Sequence, residues 1–65
     1  MNREKFIIFV ESIGFVFEKD RLYSYIYKEF RIYLYSKNHY NIFNGYKWEK
    51  CSYDYLAPEL LKLSR

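Results

Sequence analysis

The 65-residue sequence predicts one α+β domain over residues 1–65: an amphipathic N-terminal helix, an antiparallel sheet of about four or five strands, and a short C-terminal helix. Three observations predict it. Apolar residues recur at helical spacing between Phe6 and Ile13. Alternating runs separated by turn signals fill the middle of the chain. A leucine-rich stretch carrying Pro58 closes it.

Asn2 is a good N-cap, and Glu4 sits in the first turn, where the helix dipole favours a carboxylate. Phe6, Phe9, Val10 and Ile13 form the apolar stripe, widened by Ile7 and Ile8. Gly14 ends the helix by tolerating positive φ, and Phe15 then meets Val10 in the apolar contact of a Schellman ending. Strands are expected over residues 15–19, 22–27 and 30–35, with a polar turn at Asp20 and Arg21 between the first two. Residues 36–39 are a turn by composition. Strands over 40–43 and 46–50 flank Asn44 and Gly45, the strongest short hairpin signal. Pro58 fits the first turn of a helix over about 58–64, because an earlier start would place its ring against a helical carbonyl.

The face taken by the tyrosines depends on the loop between the second and third strands. A two-residue loop, Lys28 and Glu29, pairs Tyr27 with Phe30 and mixes tyrosines with Ile32 and Leu34. A three-residue loop pairs Tyr27 with Arg31, Tyr25 with Tyr33 and Tyr23 with Tyr35. Neither loop has the glycine or asparagine its turn prefers. The three-residue form is the expectation, because it leaves the opposite face uniformly aliphatic for the helix to cover. Tyr23, Tyr25, Tyr27, Arg31, Tyr33 and Tyr35 would then share one face and form the candidate binding site. In the last hairpin, Phe43, Tyr46 and Trp48 are expected on one face with Asn41, and Tyr40, Ile42, Lys47 and Glu49 on the other.

Catalytic signatures are sparse. His39, Cys51 and Asp54 could suggest nucleophilic chemistry, but no spacing brings them together. His39 and Cys51 cannot complete a four-ligand zinc site alone. Gly14 and Gly45 are isolated, so no phosphate loop exists. A non-enzyme without cofactor or metal is expected. Its apolar runs are too short for a membrane span or a signal peptide. The single cysteine agrees with a reducing compartment, so a cytoplasmic location is expected.

Lacking a disulfide, so short a chain needs a dense core, a second copy, or both. Nine Tyr, six Phe and one Trp supply such a core, and a homodimer is expected. Tyr, Trp and Arg are also the side chains enriched at binding hot spots, so a protein partner is the leading expectation. The alternative is a single-stranded nucleic-acid binder that stacks bases on the tyrosines. Against it, the net charge is only +3 and the basic residues are interleaved with acids.

Phe, Tyr, Met, Ile, Asn and Lys, with AT-rich codons, supply 33 of the 65 residues, and Gly, Ala, Arg and Pro only 8. A very short, AT-rich, aromatic-rich chain of a helix and hairpins without a catalytic motif resembles the small proteins of phages and prophages. Many of these inhibit bacterial defence systems, anti-CRISPR-type proteins among them. The resemblance implies a stoichiometric inhibitor that binds and blocks a host defence enzyme in the host cytoplasm. It rests on size and character over the whole chain, and carries no functional residue across.

Overall fold

The computed structural model describes residues 1–19 and 23–65; the expected turn at Asp20 and Arg21 and the expected strand start at Leu22 lie outside the described residues. The elements follow in the order α1 (Arg3–Ile13), β1 (Val16–Phe17), β2 (Ser24–Tyr27), β3 (Phe30–Tyr33), β4 (His39–Phe43), β5 (Trp48–Ser52) and α2 (Pro58–Leu63). The five strands form one antiparallel sheet in sequence order, so every neighbour is also the next strand in the chain.

α1 begins and ends as its sequence dictates. The Asn2 side chain accepts a hydrogen bond from the Lys5 N–H at 2.9 Å. Gly14 adopts φ 130°, and the N–H groups of Gly14 and Phe15 bond to the carbonyls of Glu11 and Val10, both at 3.1 Å. This is the Schellman pattern, and Val10 and Phe15 are both buried in the core. A Cβ on Gly14 would lie 2.8 Å from Tyr27 Cε1, so close approach as well as backbone conformation requires glycine here. Pro58 opens α2 as expected.

Both helices cover the same side of the sheet. Phe6 and Val10 of α1 and Leu60 of α2 pack with Tyr25, Ile32, Leu34, Tyr40, Ile42, Cys51 and Tyr53. The centre is aromatic: the Phe6 ring stacks on Tyr40 at 4.2 Å and tilts against Tyr53 at 5.3 Å. Two buried hydroxyls tie this core to the loops. Tyr53 donates to the Ser36 carbonyl at 3.0 Å, and Tyr40 donates to the Tyr55 carbonyl at 2.7 Å while accepting from the Ala57 N–H at 2.9 Å. The folded surface of 4543 Å² matches the ~4,500 Å² expected of a well-packed monomer of this mass.

The hairpin parity corrects the sequence expectation. Tyr27 pairs with Phe30, Tyr25 with Ile32 and Ser24 with Tyr33, so the loop is the two-residue Lys28 and Glu29. The register carries on across the sheet, with Ile32 opposite Ile42 and Arg31 opposite Phe43. Tyr25 and Tyr27 therefore face the helices. The physical reason is volume. Two short helices over a five-stranded sheet leave space that aliphatic side chains alone do not fill, and tyrosine rings fill it. Ser24, assigned by the other parity to the aliphatic face, is instead buried on the opposite side against Glu18.

This register is achieved against local turn chemistry. Lys28 adopts φ 54°, a left-handed conformation that costs a side chain about 1–2 kcal/mol. Its ammonium lies 5.1 Å from the Tyr27 ring centroid. Lys28→Gly and Lys28→Ala both lose that contact, so their difference isolates the backbone. The glycine variant is expected to be the more stable by about 1 kcal/mol in urea unfolding, reversing the usual order of the two residues in regular structure. An alanine variant at least as stable would contradict the left-handed turn.

Candidate functional site

Alternation places Val16, Ile26, Arg31, Tyr33, Asn41, Phe43, Trp48 and Lys50 on the face away from the helices. Among the described residues, neither helix lies over this face. Its aromatic rings form a continuous stripe. Phe43 and Trp48 meet at 5.1 Å, Trp48 and Tyr33 stack at 4.9 Å and 18°, Tyr33 and Tyr35 lie 5.3 Å apart, and Tyr35 meets Tyr23 edge-on at 6.0 Å. Tyr35 is 61% exposed and Trp48 47%.

Each end of the stripe is positioned by a local constraint. At one end, Tyr23 adopts φ 62°, which is strained for a bulky side chain. Its ring is held under the Arg3 guanidinium at 4.6 Å. At the other end, the Asn44 side chain accepts from the N–H groups of Tyr46 and Lys47, both at 3.0 Å. This turn fixes the register that sets Trp48 opposite Phe43.

Arg31 stands beside the stripe with its orientation fixed. Its Nε bonds to Glu18 Oε1 at 3.1 Å, and the same oxygen accepts the Ser24 hydroxyl at 2.6 Å. Ile26, Phe43 and Trp48, with Arg31, border a groove of about 450 Å³ that continues to Lys28 and Glu29 at the hairpin turn. The groove has apolar walls and fixed charge at its rim, the composition of a pocket for a partner's apolar side chain.

Of the six residues expected to share a face, the structure brings together Tyr23, Arg31, Tyr33 and Tyr35. The other two leave the site. Tyr25 is only 8% exposed, and Tyr27 packs half-buried on Phe15 at 5.4 Å. Trp48 and Phe43 complete the stripe but were not among the six. Their signal was present in the Asn44 and Gly45 turn, which puts them on one face with Asn41. What composition does not supply is the β3–β4 register that joins this face to Tyr33. Tyr46 sits in the turn and is exposed.

The residues weighed for catalysis are dispersed. Cys51 pairs with Tyr40 and points into the core, where burial pushes its thiol pKa up. His39 pairs with Ser52, one position along β4 and so on the opposite face. Asp54 holds the N-terminal ammonium, and with His39 it borders a hollow of about 400 Å³. Among the described residues no three His, Cys, Asp or Glu side chains cluster as metal ligands, and no helix is long and apolar enough to cross a membrane. No protein family, curated protein or solved structure matches the chain.

Proposed function

We propose that this chain is a small non-catalytic binding protein that docks a protein partner on its open sheet face. In the same reading it is a phage-type inhibitor that blocks a host defence enzyme in the host cytoplasm. One observation carries the docking role: a chain of aromatic rings from Phe43 to Tyr35 crosses a face that neither helix covers, and Tyr23 continues it beside Arg3 of α1. Trp, Tyr and Arg dominate binding hot spots: the aromatic pair bury large area for few rotatable bonds, and Arg adds a planar fork of donors, here held in place by Glu18.

Area is consistent with this use. The molecule measures 26 × 24 × 23 Å, so one side of it is about a sixth of its 4543 Å² surface. That approaches the ~800 Å² per partner of a standard interface. Charge favours protein over nucleic acid as the occupant. Arg31 is already paired with Glu18, and Glu29 lies at the groove, so the face lacks the continuous positive stripe that phosphates require. The homodimer belongs to the proposal as the free state, with a second copy on the same stripe until the host protein displaces it.

The test is quantitative capture from a bacterial lysate by the immobilised chain. Wild type is expected to retain a protein that Trp48→Ala loses by about thirtyfold or more, the effect of a hot spot worth ~2 kcal/mol. Ile8→Ala, changed on the helix side where Ile8 is 67% exposed, is expected to retain it fully. Equal capture by Trp48→Ala overturns the proposal. So does capture of RNA or single-stranded DNA in place of protein, with affinity falling steeply as salt rises.

A further inference from the structure

The stripe ends on β5, which is an edge of the sheet. The other edge, β1, has only two residues, whereas β5 has five. The turn bond from the Asn44 N–H to the Lys47 carbonyl, 3.1 Å, sets which groups of β5 are already used. Opposed residues of an antiparallel pair alternate between hydrogen-bonded and non-bonded. Ile42 with Glu49 and Tyr40 with Cys51 are therefore the bonded pairs; Phe43 with Trp48 and Asn41 with Lys50 are not. The N–H and C=O of Trp48 and Lys50 point outward from the sheet, while the Ser52 carbonyl is taken by the Tyr55 N–H at 3.0 Å.

The side chains on this edge are selective. Trp48 and Lys50 both stand on the open face and are exposed. Glu49 already has a partner in Lys47 at 3.5 Å, but Lys50 has no ion pair among the described residues. A strand added to β5 must place a residue directly opposite Lys50. Two same-face registers let a second copy pair both Trp48 and Lys50 in each chain. One opposes Lys50 to Lys50 and the other Glu49 to Glu49. Like charges directly opposed across strands are destabilising, so both registers are disfavoured and the edge selects against its own copy. It is open to a strand with a carboxylate at that position.

We infer that β5 is a docking edge for an extended segment of the partner protein, one that sets a carboxylate opposite Lys50 and an apolar side chain opposite Trp48. The segment extends the sheet by one strand, with backbone hydrogen bonds supplying affinity and Lys50 supplying selectivity. The inference rests on the protein-binding reading and specifies the partner's contacting element.

The partner itself is not needed for the test. Isotopically labelled wild-type chain is mixed with an unlabelled Lys50→Glu copy, which serves as a strand carrying the required carboxylate. Centred on position 50, that pairing sets Trp48 against the second copy's Ser52 and Glu49 against its Cys51, and no like charges meet. Amide exchange at Lys50 is expected to slow by about tenfold or more in the mixture. Salt near 1 M is expected to remove the effect. Adding unlabelled wild type in place of the variant is expected to change nothing at the Lys50 amide. No slowing in the mixture, or equal slowing with wild type, overturns the inference. Capture lost in Trp48→Ala reports on the stripe, whereas the Lys50 amide reports on the edge alone, so the two readings fail separately.

Discussion

Phe6→Ala is expected to destabilise the chain by about 3–5 kcal/mol, the cost of removing a fully buried aromatic ring from a core that cannot collapse to fill the space. The Phe6 ring has no exposed surface. It is the side chain through which α1 grips the sheet, stacked on Tyr40 and tilted on Tyr53. Domains of this length are stable by only about 3–10 kcal/mol in total, so the variant is expected to be largely unfolded at 37 °C. Urea unfolding followed by circular dichroism at 10 °C measures the loss. A loss below ~1 kcal/mol would show that α1 is held by something other than this ring.

Tyr40→Phe is expected to cost about 2–4 kcal/mol although it removes a single oxygen. That oxygen donates to the Tyr55 carbonyl and accepts from the Ala57 N–H, so it closes the loop between β5 and α2 over the core. Without it, two backbone groups lose their partner, at about 1–3 kcal/mol each when buried. The same burial drives the Tyr40 pKa far above the ordinary tyrosine value, and burial also raises Tyr25 and Tyr53. A folded pKa above the unfolded one means the folded chain keeps its proton after the unfolded chain has lost it. The associated stability is complete below the unfolded value of about 10 and declines as pH rises beyond it. Tyr40, with the largest shift, contributes a slope of up to about 1.4 kcal/mol per pH unit there. Urea unfolding between pH 8 and about pH 12 is expected to show this alkaline decline, shallower in Tyr40→Phe because one group is gone. Equal slopes in the two proteins would contradict the buried Tyr40 hydroxyl.

The parts legible in the sequence are those with a local cause. Asn2 and Gly14 bound α1 because a cap needs an acceptor at one end and positive φ at the other. Asn44 and Gly45 place the last hairpin, and Pro58 opens α2. Strand edges shift by a residue or two, as with β1, which keeps only Val16 and Phe17 of the five residues expected. The illegible part is which face the tyrosines take. Lys28 and Glu29 carry no turn signal, so nothing local fixed the parity. The outcome was decided by core volume, a property of the whole assembly. The same step moved Tyr25 and Tyr27 out of the site, and the β3–β4 register brought Trp48 and Phe43 in.

The docking role stands on the stripe being the contact surface. The most direct measurement is a nuclear magnetic resonance footprint of the labelled chain against the protein it captures. Shifts and intensity losses are expected to concentrate at Tyr33, Tyr35, Phe43 and Trp48, with the exposed residues of α1 and α2 unaffected. A footprint centred on Ile8, Glu11 and Leu61, with the stripe unchanged, would contradict the account.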